Sequence, residues 1–259
     1  MTIGTATPST SELNAVPHHF IRSHSIHNYF NASMFETEVL SFLSDYFTRK
    51  QIIIMVGGSG LYLDALCNGI DELPSIDQDI RNKWLTLYKK NGLQFLQDKV
   101  KTDDLDYYLN VDINNPKRLL KAIEVFEMTG KPYSAFLKKN YRPRPFHIVK
   151  IGLNTTRELL YERINRRVDC MIEAGLIEEV QGLYPYKHLT PLNTVGYKEL
   201  FEYFDGTLTR DEVIRQIKDH SRAYARRQLT WFRRDKTIIW FEPDDIESIK
   251  GYIDSQIKN

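Results

Sequence analysis

The chain is 259 residues long, 42% hydrophobic, 12% aromatic and 27% charged, with a formal net charge of +1. That length fits one large domain or two small ones, and the composition is that of a soluble protein able to close a core. The near-neutral balance excludes a polycation, so any nucleic-acid surface must be a local patch. Cys67 and Cys170 stand far apart with no CxxC, which excludes a finger-type zinc site and points to a reducing compartment. With no apolar run near membrane-span length and no basic-then-apolar leader, the expected location is the cytoplasm, without membrane contact.

In chain order, residues 7–18 are rich in Pro, Ser and Thr and read as an irregular surface segment. His18, His19, His24 and His27 follow, at spacings that match no metal-ligand pattern and with no carboxylate among them. QIIIMV (51–56) is a continuous β-branched run, expected as a strand covered on both faces. GGSG (57–60) and a helix over LYLDALCNGI come next, the layout of a turn that offers backbone N–H groups to a ligand. From Leu73 to about Tyr141 helical periodicity replaces strand runs, and 73–143 reads as a helical insertion into an α/β core made of 1–72 and 144–259. Within it Asn115-Pro116 marks a helix start and Gly130 its stop, with Lys117, Arg118 and Lys121 on one side.

FHIVKIGL (146–153) returns to a strand pattern. Thr155 with Glu158 is the expected capping box of a helix running to Gly175, on which Arg163, Arg166 and Arg167 cluster. Thr209 with Glu212 opens a second long helix that ends in SRAYARRQLTWFRRD (221–235), and TIIWF is the last strand candidate. On a helical wheel Arg222, Arg226, Arg227, Arg233 and Arg234 share roughly 140° of arc. Trp231, Tyr224, Phe232 and Leu229 take the other face and are expected to be buried. Five arginines to one acid leave few intrahelical ion pairs, which favours an anionic partner over a solvated face.

GGSGL fails the G-x-S-x-G elbow of hydrolases, since its fifth position is Leu61. No GxxxxGK[ST] is present, and no HExxH or Cys/His metal set. What remains is a glycine turn and three basic sets on separate elements, which read as an RNA- or phosphate-ligand-binding α/β protein.

Seven stretches in register carry a resemblance: IGTATPS (3–9), VPHH (16–19), VGGSGLYLDAL (56–66), NPKRLLKAIEV (115–125), RINRRVDCMIEAGLIEEV (163–180), TVGYKEL (194–200) and RAYARRQLTWFRR (222–234). Together they resemble the tRNA dimethylallyltransferases, also called tRNA isopentenyltransferases, across nearly the whole chain. The resemblance implies an α/β fold with a parallel-sheet core like that of phosphate-loop kinases and a helical insertion domain. It implies transfer of a prenyl group from dimethylallyl diphosphate to N6 of adenosine 37 in the tRNA anticodon loop, assisted by Mg²⁺. Arg167 then corresponds to the catalytic arginine that holds the diphosphate. Ser59, where the family usually has threonine, corresponds to a tRNA contact, as do Arg81 and the segment Lys117, Arg118 and Lys121. Gly57, Gly58, Arg222, Arg226 and Arg227 are further candidates for diphosphate or RNA-backbone contacts, within a stretch whose Arg227, Gln228, Thr230 and Trp231 match the family's KRQxTW run.

The family's opening GPTxxGKT loop and SxDS segment have no counterpart in these residues, so a chain lacking its N-terminal phosphate-loop segment, and inactive as it stands, is expected. A monomer is expected. The alternatives are a prenyltransferase for free adenine nucleotides and a tRNA-binding protein without activity. More local readings are an Arg167 ion pair with Asp169 or Glu173, Ser59 as a helix cap, and Lys117 and Lys121 as a solvated face.

Overall fold

Several helices in this chain start where a short polar side chain takes up backbone N–H groups that lack an intrahelical acceptor, as do Ser9, Asp77, Asp104, Asn115, Thr156 and Thr209. The computed structural model describes residues 1–71, 73–74, 76–138 and 142–257. Its elements run α1 (Thr10–Ala15), α2 (Ala32–Tyr46), α3 (Gly60–Asn68), α4 (Gln78–Asp103), α5 (Leu105–Asn110) and α6 (Pro116–Thr129), then β1 (Ile151–Leu153), α7 (Arg157–Glu173), α8 (Leu176–Leu183), α9 (Tyr197–Phe204), α10 (Arg210–Phe232), β2 (Ile239–Phe241) and α11 (Ile246–Ile257). Asn115 caps α6 through a bond from Arg118 N, Pro116 stands in its first turn, and Gly130 ends it at φ 65°. Thr209 and Glu212 form the expected reciprocal box at α10. Tyr141, the approximate end of the helical stretch in the sequence, lies outside the described residues.

Four expectations need correction. The 7–18 segment holds α1, because Ser9 accepts from Glu12 N while the Glu12 carboxylate takes Ser9 N, a capping box inside a Pro/Ser/Thr-rich run. The cap of α7 is Thr156, whose hydroxyl accepts from Leu159 N, so the Thr155–Glu158 box does not form. The 146–153 run pairs only over Ile151–Leu153. The fourth is the largest: residues 51–56 form no strand, and Ile54 and Val56 are 80% and 90% exposed. A run of apolar residues reports that the chain is suited to a covered sheet, but coverage needs neighbouring strands, and none pairs with it among the described residues.

The sheet consists of β1 and β2, paired in parallel with Ile151 opposite Ile239 and Leu153 opposite Phe241. A Cβ on Gly152 would lie 2.6 Å from the Trp240 ring, so the glycine makes room for the indole of the facing strand. The fold is α/β, rich in helix, with a small parallel sheet.

The chain divides into two units. The first comprises 1–31, 55–60 and 146–259, and the second 32–54 and 61–145. The first unit has a core of Val168, Leu176, Val180, Leu192, Tyr197, Leu200, Phe201, Val213 and Ile217, contributed largely by α7 to α10. The second packs α4 on α6 through Trp84, Leu96, Val100, Leu119, Leu120, Ala122 and Ile123. Glycine 92, at φ 77°, breaks α4 into two helical pieces.

One carboxylate fastens the start of the chain to the first unit. Glu179 on α8 accepts bonds from Thr2 N at 2.8 Å, Ile3 N at 3.0 Å, Gly4 N at 3.2 Å and the buried Tyr197 hydroxyl at 2.5 Å. Burial alone would push the Glu179 carboxyl up, but the bonds from Thr2, Tyr197 and the backbone outweigh it and hold the group at about 2. Burial and the Glu179 charge push the Tyr197 phenol up in turn. Because the folded value lies below the ordinary 4.5, this stabilisation is present above 4.5 and is lost as the pH falls toward 2. The melting temperature is therefore expected to drop across that window more steeply in the native chain than in Glu179→Gln. Equal slopes in a pH series of thermal melts would contradict this role.

Candidate nucleic-acid interface

The glycine turn rests on the second half of α10. Gln228 Nε2 donates to Gly58 O at 2.7 Å. A Cβ on Gly58 would stand 2.1 Å from that same amide nitrogen, and one on Gly60 would stand 2.4 Å from Trp231 Nε1. The two glycines and the Gln228–Trp231 pair are thus one packing unit, which assigns contacts to part of the RQLTW run. Gly57 has open space around it. Among the described residues, no N–H of Gly57, Gly58 or Ser59 donates a hydrogen bond, and the exposed Ser59 hydroxyl has no partner and caps nothing. Unbonded amides in a glycine turn are suited to receive an anion.

These contacts separate two substitutions. Gly60→Ala meets the rigid indole and is expected to cost about 1–3 kcal/mol through overpacking. Gly58→Ala meets only the tip of a flexible side chain and is expected to cost less while releasing Gln228. Urea midpoints of the two variants test the order, which an equal or inverted cost would refute.

The arginine row differs from the wheel in two respects. The aromatic face is not buried: Tyr224 is 43% exposed, Trp231 and Phe232 are partly exposed, and the buried anchors of α10 are Val213 and Ile217 in its first half. The core-facing half and the arginine-bearing half are separate stretches of one long helix. One arginine is also used internally, since Arg222 pairs with Asp219 one turn earlier and bonds Asn165 of α7. Arg226 donates to the Tyr161 hydroxyl of α7 at 2.8 Å. Arg227 lies over Tyr224 at 5.6 Å and Arg234 over Trp231 at 4.2 Å.

On α7, Arg163, Arg166 and Arg167 are exposed. Arg167 makes no ion pair among the described residues; Asp169, a candidate partner by spacing, is taken by Lys218 of α10 at 2.6 Å. No hydrogen bond or ion pair links Arg167 to Ser59. In the second unit Arg81 faces the buried Glu124 at 3.4 Å. Lys121 is half-buried beside that pair, and burial lowers its pKa, with Glu124 opposing and Arg81 adding to the effect. Lys117 and Arg118 are exposed. The candidates thus fall in two groups: Arg81, Lys117, Arg118 and Lys121 in the second unit, the remainder in the first. Of the histidines, His18 Nδ1 meets Val16 O, His24 packs on Phe30 and His27 on Tyr186.

Sequence reading missed Tyr161 and Asn165, the α7 residues that receive Arg226 and Arg222, and Arg157, which stands over the Tyr161 ring. Their signal was the position of Arg157, Tyr161 and Asn165 at four-residue spacing, one face of a helix.

A glycine turn with unbonded amides lies against a helix whose second half is rich in arginine, an arrangement suited to phosphate-bearing ligands. The family model described as IPP transferase matches residues 1–235. The chain is 46% identical over 253 residues to tRNA dimethylallyltransferase 1 of Phocaeicola vulgatus, covering 98% of this chain and 84% of that one. It is 50% identical over 248 residues to tRNA dimethylallyltransferase 2 of Azobacteroides pseudotrichonymphae, covering 96% and 81%. Among solved structures, the tRNA isopentenylpyrophosphate transferase of Bacillus halodurans superposes with a TM-score of 0.69 at 32% identity, over 99% of this chain and 83% of that one. A eukaryotic dimethylallyltransferase described as acting on tRNA shares the fold, with a TM-score of 0.74 at 23% identity over 95% and 64%. The chain belongs to the IPP transferase family, that of the tRNA dimethylallyltransferases, and is an enzyme of that family. No helix among the described residues is long and apolar enough to cross a membrane.

Proposed function

We propose that this chain takes part in moving the dimethylallyl group of dimethylallyl diphosphate to N6 of adenosine 37 in the anticodon loop of tRNA. In that reaction a C–N bond forms at N6 as the C–O bond to diphosphate breaks, and the amine proton passes to a base. The exocyclic amine is a weak nucleophile, because its lone pair is delocalised into the ring, so both a base and cations at the leaving group are needed. The observation that carries the reading is the exposed guanidinium of Arg167, free of acids, on the helix that also receives the arginine row. Arg167 is proposed to meet the diphosphate, with the unbonded amides of Gly57 and Gly58 as further anion donors. Ser59, Arg81, Lys117, Arg118 and Lys121 are proposed to contact the tRNA, and Arg222, Arg226 and Arg227 to contact its backbone or the diphosphate. Adenosine 37 must leave its stack to be reached, at a cost of a few kcal/mol, which phosphate contacts would offset.

Magnesium is proposed to accompany the diphosphate, since it is usually held by substrate phosphates with one or two carboxylates. No group of three or more His, Cys, Asp or Glu side chains suited to a metal gathers among the described residues. We further propose that the phosphate loop and general base come from a segment these 259 residues do not contain, given that they hold no GxxxxGK[ST]. Location in the cytoplasm and a monomeric state complete the proposal.

Competition binding tests the substrate. Unmodified tRNA is expected to bind and AMP not to displace it; AMP binding without tRNA binding would replace this reading by one of free-nucleotide prenylation. Prenyl transfer by this chain and by an N-terminally extended form tests the completion, with activity expected only in the extended form.

A further inference from the structure

From the packing of α7 against α10 we infer a phosphate-binding site formed by Arg157, Tyr161 and Arg226, which takes a phosphodiester of the RNA backbone. The inference rests on the tRNA reading above and adds to it a defined contact. Arg226 Nη1 donates to the Tyr161 hydroxyl at 2.8 Å. The guanidinium of Arg157 stands over the same ring at 5.1 Å, and that of Arg222 at 5.8 Å. Arg222 is neutralised by Asp219, but neither Arg157 nor Arg226 has an acidic partner among the described residues. Two uncompensated cations are therefore gathered at one phenol.

A neutral phenol is a weak counterpart for two guanidiniums. A carboxylate at 161 would pair with both and stabilise the contact between the helices, but it would also cancel their charge. Tyrosine does the opposite: its ring and hydroxyl orient the two planar groups and leave the positive charge available. Both arginines depress the phenol's pKa, the Arg226 hydrogen bond most of all, as expected where cations outnumber acids. Glu158 and Glu162 lie on the same helix and make no ion pair with either arginine among the described residues. Tyr161 is only partly buried and Arg226 is exposed, so a ligand as large as an RNA strand can reach the pair. A guanidinium offers a planar fork of N–H donors that matches phosphate oxygens, and two such groups stand at this one ring. A small free anion needs no such open, ring-supported face, which favours a backbone phosphodiester over the prenyl donor.

The test is the salt dependence of binding of an unmodified tRNA anticodon stem-loop to the full chain, with inorganic pyrophosphate titrated separately. Arg157→Ala is expected to weaken RNA binding several-fold and to flatten the slope of log K against log salt by roughly 0.7–0.9, the loss of about one phosphate contact. Arg157→Lys should retain the slope with part of the affinity, because charge remains and the planar fork is lost. Tyr161→Phe should weaken binding less than Arg157→Ala, since the ring stays. Thermal melts of each variant, expected to match the native chain, exclude unfolding as the cause. An unchanged slope in Arg157→Ala, with the native chain binding normally, overturns this site and leaves the tRNA reading in place. Weakened pyrophosphate binding at an unchanged RNA slope assigns the site to the diphosphate and overturns it too. Failure of the native chain itself to bind the stem-loop overturns both.

Discussion

Arg167→Ala is expected to lower the turnover number for prenyl transfer by roughly 10²–10³-fold, equivalent to about 3–4 kcal/mol of lost transition-state stabilisation. The expectation follows from what Arg167 does not do. It is exposed, it pairs with no acid among the described residues, and its spacing partner Asp169 is held by Lys218. Removing it therefore leaves the folded state almost untouched, and any loss belongs to the ligand-bound state. A charge that meets the departing diphosphate matters most as that group gains negative charge, so the turnover number should fall far more than tRNA affinity. Steady-state kinetics of prenyl transfer in the extended form proposed above, alongside tRNA binding, provide the measurement. An unchanged turnover number would remove Arg167 from the reaction.

Arg144→Ala is expected to destabilise the second unit by about 3–5 kcal/mol, the usual cost of leaving a buried charge unpaired. The Arg144 and Glu36 side chains are 6% and 7% exposed and pair at 2.5 Å. The same guanidinium donates to Leu66 O and Ala65 O, each at 2.7 Å, in the last turn of α3. The substitution thus strands the buried Glu36 carboxylate and the Leu66 carbonyl at the negative end of the helix dipole, while the Ala65 carbonyl keeps its bond from Gly69 N. Glu36→Leu combined with Arg144→Met is expected to recover much of the loss, since both charges then leave together. Urea unfolding monitored by circular dichroism checks both. If the double variant proves no more stable than Arg144→Ala, the unpaired charge is not the cause.

What could be read from the sequence follows the range of the physics involved. Asn115, Pro116 and Gly130 act on their own helix, as do Thr209 and Glu212, and these boundaries were legible. The unbroken run at 51–56 misled, because its apolar residues state a preference for cover without naming a neighbour. Gly58 and Gly60 suggested a close approach, but Gln228 and Trp231 lie about 170 residues away, and only folding brings them together. Arg167 and the arginine row came largely from resemblance and charge counting. Tyr161 escaped because a partly buried tyrosine in a helical pattern looks like any other until the arginines of α10 surround it. The helical wheel failed in one definite way: it assumed that α10 keeps the same surroundings along its length, whereas Val213 and Ile217 enter the core and Tyr224 does not.

Ile52, Ile54, Met55 and Val56 are each exposed apolar side chains, and ionic strength acts on such groups and on cationic ones in opposite senses. Added salt weakens the grip on phosphate and strengthens contact between greasy patches, more so with sulfate. Loss of RNA binding at high salt would therefore be accompanied by clumping of the protein. Light scattering recorded during each titration separates the two.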